Sequence, residues 1–243
     1  QGALRHKKSI TLDQLKEFKK EMIEGACQGM VEFVEPSHNL DMVVGHVAAK
    51  RRLKEDGQLI RRGHLDAAPM GYLLCGPVGT GKSFLAECYT GTIGISCLKL
   101  LNFRSKYVGE TEGNLEKILK VLRVMGPVVV MIDEADAALG NRGQSGDSGT
   151  QNRVFAQIAS QMGNTQYRGK IVWFLMTCRP DLLPIDIKRQ GRAEVHIALF
   201  YPQGDDEMRD MFVVMGRKSG VKIRAEDVPD TGGKKLSGAD VEG

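Results

Sequence analysis

The chain has 243 residues, of which 42% are hydrophobic and 26% are charged, and its formal net charge at pH 7 is only +4. This length and composition are typical of a globular protein with one full α/β domain and a small attachment. No basic block predicts a nucleic-acid groove, and no apolar run approaches the roughly 20 residues of a membrane-crossing helix, so we expect no membrane segment.

The first 38 residues predict a helical extension. Thr11 and Gln14 fit a capping box, and the apolar residues around and after them recur at helical spacing. A second amphipathic helix is predicted over residues 47–62. The apolar stripe of the first helix comprises Leu12, Leu15, Phe18, Met22 and Ile23.

From residue 70 onward, short apolar segments alternate with helical ones. Such alternation predicts a mainly parallel sheet with helices on both faces, which is a three-layer αβα sandwich. We expect five strands, at residues 70–75, 96–101, 128–132, 171–176 and 195–200, and helices at residues 82–90, 114–124, 152–162 and 206–215.

A glycine-rich segment follows the first predicted strand. Residues 76–83, GPVGTGKS, match the pattern GxxxxGK[ST] between a strand and a helix, which predicts a P-loop NTPase fold. Glycines let backbone N–H groups surround phosphates, Lys82 would reach the terminal phosphate oxygens, and Ser83 would hold Mg²⁺. A chance glycine-rich turn is the rarer alternative. The predicted nucleotide-binding residues here are Pro77, Val78, Gly79, Thr80, Gly81, Lys82, Ser83 and Phe84.

An acidic pair follows the strand predicted at residues 128–132. Asp133 is the natural partner of Mg²⁺, through water. Glu134 can orient or deprotonate the water that attacks the terminal phosphate. The alternative is an acidic N-cap of the next helix, which the phosphate-binding loop makes the weaker interpretation. The sequence therefore predicts a site for a nucleoside triphosphate and Mg²⁺.

Three further segments resemble the AAA family of ATPases. Residues 106–112, KYVGETE, look like the family's first pore loop, which here carries Tyr107 and Val108. Residues 177–181, TCRPD, and 188–192, KRQGR, look like its second region of homology. The resemblance extends from about residue 40 to residue 243. It implies an ATP hydrolase that works as a ring of identical subunits, usually a hexamer.

The resemblance implies roles for three of these residues. Arg189 and Arg192 would act on the nucleotide of a neighbouring subunit and stabilise charge on the transferred phosphoryl group. Tyr107 would grip extended polypeptide by side-chain contact. Two alternatives stay open, a solvated basic turn for the arginines and a partly buried core aromatic for the tyrosine.

The resemblance also implies an adenine pocket at residues 43–46, VVGH, where Val44 and Gly45 would line the base. Residues 237–240, SGAD, look like the start of a small helical lid, whose Ala239 would approach the base. Cys178 stands where the family normally has an asparagine that helps to place the attacking water, and a thiol is a poor substitute for an amide. Thr177 is then the alternative source of a hydroxyl.

The predicted organisation has three parts: a helical extension at residues 1–38, a large α/β subdomain at residues 39–216, and a connection with the start of the lid at residues 217–243. We expect a ring ATPase that remodels or unfolds protein substrates. Two alternatives remain. The basic residues at 50–52 and 61–62 point weakly to a nucleic-acid motor or loader, although such runs usually form a solvated helix face. Cys178 favours a weakly hydrolysing scaffold.

The cysteines indicate the compartment. Five of them are scattered without metal-site spacing, and their odd number argues against a complete set of disulfides. We therefore expect a reducing setting, the cytoplasm. The five are Cys27, Cys75, Cys88, Cys97 and Cys178.

Overall fold

A computed structural model of the chain describes residues 17, 20, 21, 23–25, 27, 29–101, 108–139, 148–228 and 236–242, of which residues 108–112, 148–152 and 242 are described by their backbone alone. The described residues between 17 and 27 are helical, and Ile23 of the predicted stripe is buried. Leu12, Leu15, Phe18 and Met22 lie outside the described residues.

Helices and strands alternate along the described residues. The strands are β1 (Val31–Val34), β2 (Gly71–Cys75), β3 (Ser96–Leu100), β4 (Val128–Ile132), β5 (Ile171–Thr177) and β6 (Val195–Ala198). The helices after β1 are α1 (Val47–Arg61), α2 (Lys82–Ile93), α3 (Val108–Val124), α4 (Ala135–Leu139), α5 (Ser148–Met162), α6 (Ile185–Lys188), α7 (Asp205–Lys218) and α8 (Gly238–Glu242). Within the described part of the chain, none of the helices is both long enough and apolar enough to cross a bilayer.

The strands form one sheet in the order β1-β3-β4-β5-β2-β6. All described pairs are parallel except β1 with β3, which is antiparallel with Val31 opposite Leu100. The predicted α/β class and the mainly parallel sheet are confirmed. The structure has one strand more than the five predicted, namely β1. It was not predicted, because four residues are too short for a clear alternation and residues 31–34 were assigned to the helical extension. The proposed division into three parts stays a prediction.

Two apolar clusters cover the two faces of the sheet. Successive side chains of a strand point to opposite faces, and Val130 accordingly joins one cluster while Met131 joins the other. The first cluster also contains Leu119 of α3 and Ile158 of α5. The second contains Tyr89 of α2 and residues of α1. The sheet is therefore a buried middle layer between two layers of helices, as predicted.

Because the central strands are parallel, their carboxyl ends meet at one edge of the sheet. The segment after β2 lies beside the end of β5, since the Gly76 N–H donates to the Thr177 carbonyl over 3.3 Å. β4 is the other neighbour of β5, so Asp133 follows at the same edge. This edge brings together the glycine-rich loop and the acidic pair.

Candidate functional site

A cavity of about 360 Å³ lies at this edge of the sheet. One end, the loop end, is lined by residues 79–83 together with Asp133, Glu134 and Cys178. The remaining lining residues, which we call the helix end, are residues 42–44 and 46, 199–202, side chains of α7 and the start of α8. Of the predicted nucleotide-binding residues, those lining the cavity are Val44, Val78, Gly79, Thr80, Gly81, Lys82, Ser83, Phe84 and Ala239.

The glycine-rich loop is packed against the start of α8. Gly79 has φ +81°, a left-handed conformation that favours glycine, and a Cβ there would lie 2.5 Å from the Cβ of Ser237. The Gly79 carbonyl accepts a hydrogen bond from the Gly238 N–H over 3.2 Å. Residue 79 must therefore lack a side chain, both for its backbone angle and for this contact.

Lys82 folds into the loop that precedes it. Its Nζ donates to the carbonyl oxygens of Gly76 at 2.9 Å and Pro77 at 2.7 Å, and it lies 3.3 Å from the Cys178 Sγ. An ammonium group has three donors and no acceptor, so these contacts employ all of them. The lysine charge is held at the loop end, where an anion could exchange for the carbonyl oxygens.

Ser83 and Asp133 lie side by side at the loop end. The Ser83 hydroxyl donates to Asp133 Oδ2 over 2.9 Å, and Lys99 Nζ lies 3.6 Å from the same oxygen. Hydroxyl and carboxylate oxygens are the hard ligands that Mg²⁺ prefers, and Mg²⁺ at nucleotide sites takes few of them from protein. No cluster of three or more His, Cys, Asp or Glu side chains suited to a metal occurs among the described residues. Because the hydroxyl and the carboxylate supply two such oxygens, the Ser83–Asp133 pair fits a magnesium ion.

Glu134 has an unusual backbone conformation. Its φ is +46°, a left-handed value that is costly for a residue with a side chain and that clusters at functional sites. The Glu134 N–H donates to Asp133 Oδ1 over 3.0 Å, while its own exposed carboxylate accepts no hydrogen bond from the described residues. Glu134 lines the cavity and has acceptor capacity left for water.

Thr177 and Cys178, at the end of β5, differ in access to the cavity. Thr177 is 1% exposed. Its hydroxyl donates to Asp136 Oδ1 over 2.6 Å and accepts from the Arg179 N–H over 2.8 Å. Cys178 is exposed, lines the cavity and contacts Lys82. The structure thus brings the thiol to the loop end, while the Thr177 hydroxyl holds Asp136.

The helix end combines apolar side chains with a few polar ones. Val44 lines it, Gly45 does not, and the pKa of the adjacent His46 is lowered by burial, which the Glu207 carboxylate opposes in part. Glu207 was not predicted, because the acidic first turn of α7 has the ordinary composition of a helix start. Val43, His46 and Gly238 line the cavity and lie within the segments 43–46 and 237–240 that the sequence predicted. The other lining residues that sequence analysis missed here are Met42, Leu199, Phe200, Tyr201, Pro202, Met211, Met215 and Lys218.

The two predicted arginines differ in exposure. The Arg189 side chain is 60% exposed, with Nε 3.5 Å from Asp186 Oδ1. The Arg192 side chain is 15% exposed, and its Nη1 donates to the Asp186 carbonyl over 2.7 Å. Burial, followed by the charge of Arg189, lowers the pKa of Arg192. Neither arginine is among the residues that line the cavity.

The predicted pore loop is only partly described. Tyr107 lies outside the described residues, and Val108 is the first residue of α3, described by its backbone alone. The predicted roles of both residues stay predictions.

The fold and the site together define a P-loop nucleotide-binding protein. A parallel sheet carries a glycine-rich loop that leads into a helix, and a lysine, a hydroxyl and two carboxylates meet at its carboxyl edge. The model of the family described as "ATPase family associated with various cellular activities (AAA)" matches residues 72–201, more than half of the 243 residues. The chain belongs to this family, which confirms the predicted resemblance and supports the predicted class of enzyme, an ATP hydrolase.

Curated relatives agree with this assignment. The chain is 31% identical over 72% of its length to the Cell division cycle protein 48 homolog of Archaeoglobus fulgidus, covering 24% of that protein. It is 30% identical over 82% of its length to the ATP-dependent zinc metalloprotease FtsH of Hahella chejuensis, covering 32% of it. For the Peroxisomal ATPase PEX6 of Dictyostelium discoideum the identity is 31% over 74% of the chain and 15% of the relative. The chain thus spans a third or less of the length of these relatives.

Proposed function

We propose that the chain binds ATP with Mg²⁺ at the loop end of the cavity and hydrolyses it. The observation that carries the proposal is the meeting of Lys82, the Ser83–Asp133 pair and Glu134 at that end. Lys82 would exchange its contacts with two loop carbonyls for phosphate oxygens. Backbone N–H groups at the start of α2 add the positive end of the helix dipole.

Hydrolysis requires an activated water and stabilisation of charge. Ser83 and Asp133 would hold the magnesium ion, which supplies neutralisation of phosphate charge when bound. Glu134 would orient the attacking water and take its proton, since its carboxylate lines the cavity without a described hydrogen-bond donor. Asp133 cannot take this role equally well, because both of its oxygens already have partners.

Lys82→Ala tests the binding step. We expect ATP to bind roughly 10- to 100-fold more weakly, because charge-assisted hydrogen bonds to the phosphates are lost. Calorimetric titration measures the dissociation constant, and Lys120→Ala on an exposed site of α3 is the control for loss of one positive charge. Binding as tight as that of the parent chain would refute the proposal.

We further propose that the chain acts in a ring, in which Arg189 of one subunit reaches the nucleotide of the next. Head-to-tail interfaces of this kind close into rings when the rotation permits. Two observations support the proposal: Arg189 is largely exposed, and it is not among the residues lining the cavity of its own subunit. Arg192 is mostly buried and donates to the Asp186 carbonyl. It would hold the segment between residues 186 and 192 in place and contribute a second positive charge. The family's usual hexamer is the proposed assembly.

The work of such a ring is proposed to be the remodelling or unfolding of protein substrates by Tyr107, with Val108 beside it. Tyr107→Ala is expected to keep most of the ATPase rate, because the proposed role of the residue is contact with the substrate rather than with the nucleotide, and to abolish unfolding of a fluorescent reporter protein. Both rates are measured in one reaction mixture. Joint loss of ATP hydrolysis and unfolding would contradict a role confined to the substrate.

The described contacts argue against a nucleic-acid motor or loader. Lys50 Nζ donates to the Val43 carbonyl over 2.7 Å, Arg52 pairs with Asp56 at 2.8 Å, and Lys54 pairs with Asp41 at 2.9 Å. Three of the basic residues on α1 are therefore engaged within the chain.

We favour a cytoplasmic location, which the five free cysteines support.

A further inference from the structure

Glu207 is the one carboxylate among the described residues that line the helix end of the cavity. Most of its neighbours there are apolar, including Met42, Met211 and Met215. Another polar group at this end is engaged, since the Tyr201 hydroxyl donates to the Val78 carbonyl over 3.0 Å. A carboxylate among methionines influences which polar groups of a ligand can bind at the helix end.

The Glu207 carboxylate is held in place by backbone. Glu207 is the third residue of α7, and its Oε2 accepts a hydrogen bond from the Gln203 N–H over 2.7 Å. A Cβ at position 45 would lie 3.0 Å from either carboxylate oxygen, so the absence of a side chain on Gly45 makes room for the group. Oε1 accepts no hydrogen bond from the described residues.

The charge of Glu207 is not cancelled by its histidine neighbour. Burial lowers the pKa of His46, although Glu207 acts in the opposite direction. The lowered pKa favours the neutral form of His46 near pH 7, and no ion pair joins His46 to the carboxylate among the described contacts. Glu207 remains an anionic acceptor facing the cavity.

We propose that Glu207 determines which purine the cavity accepts, by taking a hydrogen bond from the 6-amino group of adenine at the helix end. This inference rests on the proposed function, in which the phosphates occupy the loop end. A carboxylate can only accept, the 6-amino group is a donor, and the 6-oxo group of hypoxanthine or guanine is an acceptor. An oxo group in the place of the 6-amino group would leave two acceptors facing each other without a proton. The base would have to shift for its N1–H, the donor next to the oxo group, to reach Glu207, so the site disfavours it.

Calorimetric titration of the full chain with ATP and with inosine triphosphate tests the proposal, because the two nucleotides differ only at positions 6 and 1 of the base. The parent chain is expected to bind ATP about 10- to 100-fold more tightly. In Glu207→Gln, the amide oxygen can keep the bond from Gln203 while its NH₂ group faces the cavity. That group donates to a 6-oxo substituent, so inosine triphosphate should bind more tightly than to the parent, and ATP more weakly.

Asp206→Asn is the matched control. It removes one negative charge from the same helix turn, but the Asp206 side chain is 99% exposed, and the ratio of the two affinities should not change. A merely structural role of Glu207 would weaken both nucleotides alike. If Glu207→Gln leaves the ratio within about twofold of the parent, the assignment of Glu207 is wrong while ATP binding stands. If the parent chain binds no ATP, the proposed function fails together with it.

Discussion

Arg189→Ala is expected to lower the rate of ATP hydrolysis by about 10³- to 10⁵-fold in assembled protein, the range found for arginines that reach a transferring phosphoryl group. The affinity for ATP should change little, because Arg189 is not among the residues lining the cavity of its own chain. Steady-state phosphate release measures the rate, and calorimetry measures the affinity. Arg224→Ala, at an arginine that is 77% exposed, controls for the loss of one positive charge.

A mixing experiment separates action on the neighbouring subunit from action on the same one. Lys82→Ala subunits lack the binding lysine but keep Arg189, whereas Arg189→Ala subunits bind ATP and lack the arginine. Each variant alone should be inactive, and a mixture should recover part of the parental rate, since a Lys82→Ala subunit supplies its arginine to the nucleotide of an Arg189→Ala neighbour. A mixture as inactive as its components would contradict catalysis between subunits.

The choice of Arg189 rather than Arg192 for this experiment follows from burial. The Arg192 side chain is 15% exposed. It packs closely against Gly163 at the end of α5, where an added Cβ would lie only 3.3 Å from the Arg192 Nε. Truncation of Arg192 would therefore disturb packing as well as charge. Arg189, which is 60% exposed, can be removed with little effect on the fold.

Glu134→Gln is expected to reduce the hydrolysis rate by about 10²- to 10⁴-fold, because an amide cannot take the proton of the attacking water. ATP binding should persist, since Lys82, Ser83 and Asp133 keep their contacts. Single-turnover measurement of phosphate release reports the chemical step directly, and light scattering with ATP and Mg²⁺ reports the size of the assembly that the bound nucleotide maintains.

The same variant decides between an ATPase and a weakly hydrolysing scaffold. Cys178 lies 3.3 Å from Lys82 Nζ, at the position where the family normally has an asparagine that helps to place the attacking water. The rate of ATP hydrolysis by the parent chain must therefore be measured first. A measurable parental rate that falls in Glu134→Gln, but not in Glu55→Gln on the exposed face of α1, supports catalysis. A negligible parental rate that Glu134→Gln leaves unchanged would favour the scaffold.

Much of the loop end could be predicted because its residues are neighbours along the chain. The glycine-rich loop and the acidic pair are continuous segments, each attached to the end of a strand with a strongly apolar sequence. Residues 71–75 and 128–132 are strands, as the apolar runs indicated. Local patterns of this kind need no knowledge of distant contacts.

The helix end was harder to predict, since it depends on contacts between distant segments. Glu207 meets Gly45 across 162 positions of sequence, and no local pattern separates it from the other acidic residues of the same helix turn. The Thr177 hydroxyl was likewise assigned from its neighbour Cys178, whereas its hydrogen bond to Asp136 of α4 is a tertiary contact. The strand β1 was missed because its pairing with β3, rather than its four residues, stabilises it.

The contact between Gly79 and the start of α8 has a consequence for how nucleotide occupancy is communicated. Ser237 caps α8, because its hydroxyl oxygen accepts from the Asp240 N–H, while its own N–H and hydroxyl donate to the Asp240 carboxylate. The first turn of this helix contacts the glycine-rich loop through the hydrogen bond between the Gly238 N–H and the Gly79 carbonyl, with the short Ser237 side chain packed beside Gly79. A shift of the loop backbone at Gly79 would therefore act on the first turn of α8 directly, through a hydrogen bond between two main chains.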